Sequence, residues 1–68
     1  MFLTPYQHGV VREIVEHGKF DSTNPQFQNY QYAVHDLAEL VVAGMIVKEY
    51  ELTSSTYLPG TKFDGRFH

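Results

Sequence analysis

Leu40-Val41-Val42-Ala43-Gly44-Met45-Ile46-Val47-Lys48-Glu49-Tyr50-Glu51-Leu52 changes its hydrophobic period partway along one apolar run. Before Gly44 the apolar positions recur at three- and four-residue steps, back through Leu37, Val34, Tyr30 and Phe27, which is the spacing of a helix face. After Gly44 the pattern alternates, with Lys48, Tyr50 and Leu52 on one side and Val47, Glu49 and Glu51 on the other, as in a strand. Glycine at the changeover suits a helix stop, because the residue after a helix commonly adopts the left-handed conformation. The stretch reads as helix, stop, strand. With further helix upstream and further strand downstream, the chain belongs to the α+β class.

Upstream, Thr4-Pro5-Tyr6-Gln7 is a helix start: Thr4 caps the first amides, Pro5 fits the first turn and Gln7 completes a capping box. Tyr6, Val10, Val11, Ile14 and Val15 keep helical spacing and Gly18 follows, so a first helix is expected over 5–17. Glu13 and His17, one turn apart on it, are placed to meet. Lys19 to Pro25 reads as a loop ending in a cap at Asn24. A short helical turn at 25–30 and a main helix at 31–43 follow, divided at the weakly helical pair Gln28-Asn29. Leu37 and Leu40 are expected in the core, on a stripe shared with Val34 and Val41. Downstream, Thr53-Ser54-Ser55 reads as a turn. Thr56-Tyr57-Leu58 and Thr61-Lys62-Phe63 are short strand-forming pieces on either side of Pro59-Gly60, and Asp64-Gly65 offers another tight turn. The C-terminal third is therefore a hairpin or small meander, and residues 1–68 form a single domain.

A chain of 68 residues buries about 60% of the surface its unfolded form exposes, so stability is thin. No cysteine is present to staple it, and five Phe with five Tyr must supply large buried areas instead. The formal charge is −3, opposite in sign to what attraction to nucleic acid requires. Lys62 and Arg66 make the C-terminal tip the one basic region. No apolar run approaches a membrane span, and Met1 is followed by neither a basic segment nor a signal core, so a cytoplasmic location is expected.

Two or three helices followed by a hairpin, with Asp36-Leu37-Ala38-Glu39-Leu40 running through Gly44-Met45-Ile46 into Lys48-Glu49, resemble the winged helix-turn-helix family. In that family the recognition helix commonly ends in Leu, a few residues, Gly and an apolar pair before the wing. Leu3-Thr4-Pro5-Tyr6-Gln7 is similar to the family's first helix start, and Leu52-Thr53 to the close of its wing, so the resemblance spans about residues 3–63. It implies a winged-helix-like domain, and its size, charge and layout are nearest to small bacteriophage proteins of that family, some of which bind and inhibit host RNA polymerase or other host factors. The departure lies on the main helix. A groove-reading helix needs basic or amide side chains with phosphate contacts around them. Here Gln31, Tyr32, His35, Asp36 and Glu39 occupy the face opposite the stripe, and Asp36 and Glu39 would meet phosphates with no basic residue on that helix to offset them. That face suits a protein surface, and these five residues are the expected partner-binding set.

Two functions follow from these residues. The first is a non-enzymatic interaction module that binds and modulates a protein of the host transcription or nucleic-acid machinery. The second is a DNA-binding regulator acting as a homodimer, reading bases with Gln28, Gln31 and Tyr32 and phosphates with Lys62 and Arg66. A structural or assembly role is a third. Catalysis is not expected: His35-Asp36 with Ser54 or Ser55 point in different directions, no nucleophile elbow is present, and the chain is too short to enclose an ordinary substrate pocket. Nor is a metal or cofactor, since the four histidines lack the spacing of a helical zinc pair and no cysteine assists them.

Overall fold

A computed structural model describes residues 2–24, 30–50 and 55–67. The predicted turn of helix at 25–30 therefore lies almost wholly outside the described residues, as do Phe27, Gln28, Leu52, Thr53 and Ser54. The elements run α1 (Pro5–His17), β1 (Phe20–Asp21), α2 (Ala33–Val42), β2 (Ile46–Tyr50), β3 (Ser55–Pro59) and a final 3₁₀ turn, Gly65–Phe67. The result is a small α+β domain whose antiparallel sheet has the order β1-β3-β2.

Both ends of α1 are where capping chemistry puts them. Thr4 Oγ1 accepts from Gln7 N–H at 3.1 Å while Gln7 Oε1 accepts from Thr4 N–H at 2.9 Å, the reciprocal pair of a capping box. Gly18, at φ 80°, donates to Ile14 C=O at 2.8 Å and ends the helix. His17 Nε2 lies 3.1 Å from Glu13 Oε2, as the one-turn spacing predicts. Gln7, Val10, Val11 and Ile14 form the buried stripe, but Val15 is 45% exposed and stands off it.

β1 corrects the reading of residues 19–25 as loop. Phe20 pairs with Tyr57 and Asp21 with Thr56, giving the hairpin a third strand. Phe20 is buried and meets Tyr6 edge-on at 6.4 Å between ring centroids. Beyond it Asp21 Oδ1 accepts from Thr23 N–H and Oγ1–H at 2.9 and 2.8 Å, closing a turn as loop chemistry predicts. The 61–63 piece is not a strand, because Thr61 and Lys62 lie in a turn tied back by Lys62 N–H to Gly44 C=O at 2.9 Å.

α2 ends in a Schellman motif: Met45 N–H reaches Leu40 C=O and Gly44 N–H reaches Val41 C=O, both at 3.0 Å, with Gly44 at φ 79°. Leu40 and Met45, the residues this motif brings together, are both buried. Leu37 and Leu40 join Val10, Ile14, Phe20 and Ile46 in one core between the helices and the sheet. The stripe assigned to α2 needs correcting at two positions: Val34 is 83% exposed and Val41 39%. At the sheet's lower end a Cβ at Gly60 would collide with the Gly44 carbonyl oxygen, and Gly60 N–H donates to Met45 C=O at 2.8 Å. The end of α2 and the end of β3 thus touch main chain to main chain.

Candidate functional site

A polar junction joins the start of α1 to α2, and it takes Asp36 out of the expected partner-binding face. Asp36 is only 3% exposed. Its Oδ2 accepts from Thr4 Oγ1–H at 2.7 Å and from Tyr30 O–H at 3.0 Å, so two hydroxyls from different segments hold the carboxylate. The reason is angular: on a helix Asp36 follows the same flank as Leu37 and Leu40, and its polarity alone placed it outside. Gln7, fully buried, donates from Nε2 to Asp36 C=O at 3.0 Å and to Glu39 Oε2 at 2.9 Å. Tyr30 stacks on Tyr6 at 4.7 Å between centroids, the packed position its phase predicts. Burial first, and then neighbouring phenol and carboxylate groups, raise the Tyr6 hydroxyl above its ordinary range. Tyr30 is raised as well, by desolvation and then by its bond to Asp36.

The other expected residues are outside, though not all together. Gln31 and Tyr32 are exposed ahead of α2, with the Tyr32 ring edge-on to Tyr30 at 5.9 Å. His35 projects from α2, its Nε2 3.6 Å from Glu39 Oε1, and Glu39 is tied to Gln7 through its other oxygen. Lys62 is exposed and lays its stem along Gly44. Arg66 is engaged: its Nε and Nη2 donate to Asp64 at 2.8–3.2 Å. The Arg66 hydrogen bonds pull the Asp64 carboxyl down to about 2, and Arg66 is raised in turn. Among the described residues two clusters bring ligand-type atoms within 4.8 Å of one another: Glu13, Glu16 and His17, and His35, Asp36 and Glu39. In the second, Asp36 Oδ2 and Glu39 Oε2 already accept hydrogen bonds from Thr4, Tyr30 and Gln7, which accounts for the arrangement without an ion.

The surface that polarity did not point to is apolar. Every residue of α2 except His35, Asp36 and Glu39 is apolar, and Val34, Ala38, Val41 and Val42 form an outward ridge, with Val42 89% exposed. On one side of the ridge Val34, Ala38 and Val41 face Ile46, Val47 and Lys48 of β2 across a trough of about 540 Å³, floored by Leu37 and Tyr57. This volume is in the range of ligand pockets, but the hollow is an open trough and not an enclosed cavity. On the other side His35, Glu39 and Val42 border a shallower hollow of about 420 Å³, and Ala38 is shared by both. Solvent-facing valines at i, i+7 and i+8 of a short helix were the sequence signal, hidden because the same spacing fits a buried stripe. No family model matches this chain, and no curated protein or solved structure matches it.

Proposed function

We propose that this chain is a non-enzymatic, winged-helix-like interaction module that docks on a protein of the transcription or nucleic-acid machinery through α2 and the adjoining hairpin. The observation that carries this reading is the ridge Val34-Ala38-Val41-Val42 left in solvent beside an apolar trough, since exposed contiguous apolar surface marks interaction sites in small soluble domains. The order helix, strand, helix, glycine stop and hairpin supports the winged-helix layout. Among the described residues no helix is long and apolar enough to cross a membrane.

The DNA-binding alternative draws less support. α2 carries no Lys or Arg, its outer side presents valines with Glu39, and Arg66 already spends its guanidinium on Asp64. Phosphate contacts would fall to little more than Lys62. The test is retention of a host protein by the immobilised chain, with Ala38→Glu as the control. Glutamate is a good helix former and the site is exposed, so the variant should fold. A transcription or nucleic-acid-processing protein held by the parent and lost by the variant is the expected result. Binding to duplex DNA that weakens steeply with salt, and is indifferent to Ala38→Glu, would replace this reading with the alternative.

A further inference from the structure

Strand β2 is an edge. In the order β1-β3-β2 it pairs with β3 on one side, and no described strand lies on the other. The phase of the ladder tells which main-chain groups face outward. The rung beyond Ile46↔Pro59 sets Met45 opposite Gly60, and there Gly60 N–H donates to Met45 C=O. Antiparallel rungs alternate between bonded and non-bonded pairs, so Val47↔Leu58 and Glu49↔Thr56 exchange hydrogen bonds with β3. Ile46 and Tyr50 therefore turn their N–H and C=O away from β3. The other edge of β3 agrees, because Ser22 N–H donates to Ser55 C=O, which puts Ser55 and Tyr57 in phase with β1. Pro59, with no N–H to give, sits on a non-bonded rung.

The trough lies along that edge. Consecutive strand residues point to opposite faces, and Ile46, Val47 and Lys48 all line the hollow, as they do where it reaches the strand's rim. The opposite wall is the α2 ridge. The charge there is also distinct: in a chain of net charge −3 the lining includes, among the described residues, Lys48 and no acid, and Lys62 lies along Gly44 at the mouth.

Resting on the docking function proposed above, we infer that the occupant is an extended segment of the partner protein that adds as a strand to the outer edge of β2. Its alternate apolar side chains pack against Val34, Ala38 and Val41, and a carboxylate meets Lys62 at the rim. Added strands take affinity from main-chain hydrogen bonds and specificity from pockets for every second side chain, and both are present here side by side. A second copy of the chain fits worse. A two-fold that pairs β2 antiparallel with itself along its whole length, Ile46–Tyr50, centres on Lys48 and sets like charges directly opposite, between two molecules that both carry −3.

The test uses the intact protein and a displayed library of random peptides about ten residues long, the length an added strand with short flanks requires. Selected peptides should alternate apolar and polar residues and carry Asp or Glu. Their affinity should fall about tenfold or more with Ala38→Glu and with Lys62→Glu, each variant first checked by thermal melting. Binding should slow hydrogen exchange at the Ile46 and Tyr50 amides. Peptides with apolar residues at three- and four-residue spacing, leaving those amides unprotected, would overturn strand addition while keeping α2 as a docking surface. Self-association in sedimentation, abolished by Ala38→Glu, would overturn it in favour of a second copy. No enrichment at all overturns it too, and if the chain then shows salt-sensitive duplex binding, the docking function falls with it.

Discussion

Leu37 and Val34 lie three residues apart on one helix and differ in what surrounds them. Leu37 is buried, and truncating it to alanine should cost about 2 to 5 kcal/mol, enough to unfold a domain of this size. Val34→Ala should shift stability by no more than about 0.5 kcal/mol, since its side chain is in water. Thermal melts of the two variants side by side check the orientation of α2; equal losses would mean that Val34 is packed. Asp36 and Glu39 form a second contrasting pair. Both read from sequence as exposed acids whose reversal to lysine the fold would tolerate. With Asp36 held by Thr4 and Tyr30, Asp36→Lys would bury an unmatched ammonium against two hydroxyls and should cost about 3 to 5 kcal/mol. Glu39→Lys forfeits the Gln7 hydrogen bond and the exposed His35 contact of a half-exposed side chain and should cost about 1 kcal/mol. Chemical denaturation separates them, and a folded, stable Asp36→Lys protein would contradict the junction.

At the scale of elements, the terminal 3₁₀ turn makes an acid-sensitive contribution of definite sign. Asp64 titrates near 2 in the folded chain against an ordinary 3.8, because Arg66 donates to its charged form. A lowered folded pKa means stability that is fully present above about pH 3.8 and is lost as pH falls through about 2. Asp64→Asn should therefore flatten the fall in melting temperature across that window and leave its slope above pH 5 unchanged; an identical acid limb would remove Asp64 from the account. Asp21, lowered by the Thr23 hydrogen bonds, acts in the same direction. The elements with local punctuation were the legible ones: Thr4, Gln7 and Gly18 bound α1, and Gly44 stops α2. β1 was not legible, because a two-residue strand has no period to read and Phe20 earns its place by pairing with Tyr57, far along the chain. The inner side of α2 was legible at Leu37 and Leu40, but its limits at Val34 and Val41 were not. Apolar residues on both flanks satisfy the helical period equally, so the spacing of Val34 and Val41 gave no choice between core and solvent. For the same reason the candidate site was half seen: Gln31, Tyr32, His35 and Glu39 were found outside as expected, while Val34 and Val41 were counted as core.

Across the whole molecule, two contacts outside the core tie elements together: the polar junction holds the start of α1 to α2, and the main-chain contact between Gly44 and Gly60 holds the end of α2 to the end of β3. Gly60→Ala would drive a methyl group into the Gly44 carbonyl and force the end of β3 off the end of α2, at about 1 to 3 kcal/mol. Gly18→Ala meets nothing within 4 Å and carries only the strain of its positive φ, about 1 kcal/mol. Comparing the two melts isolates the contact, and a Gly60→Ala protein no less stable than Gly18→Ala would show that the two chain ends have room to part.

The buried carboxylate of Asp36 also settles which way α2 faces. A helix with two greasy sides has two nearly degenerate ways to lie on a core, differing by a roll about its axis, and apolar burial is non-directional. Thr4, Gln7 and Tyr30 break that tie, because their hydrogen bonds exist in only one of the two rolls and in the other would leave polar atoms dry and unmatched. The frustration is thereby resolved at the polar junction between the helices, and the chain is free to keep valine in water on the other side without offering itself a second native state.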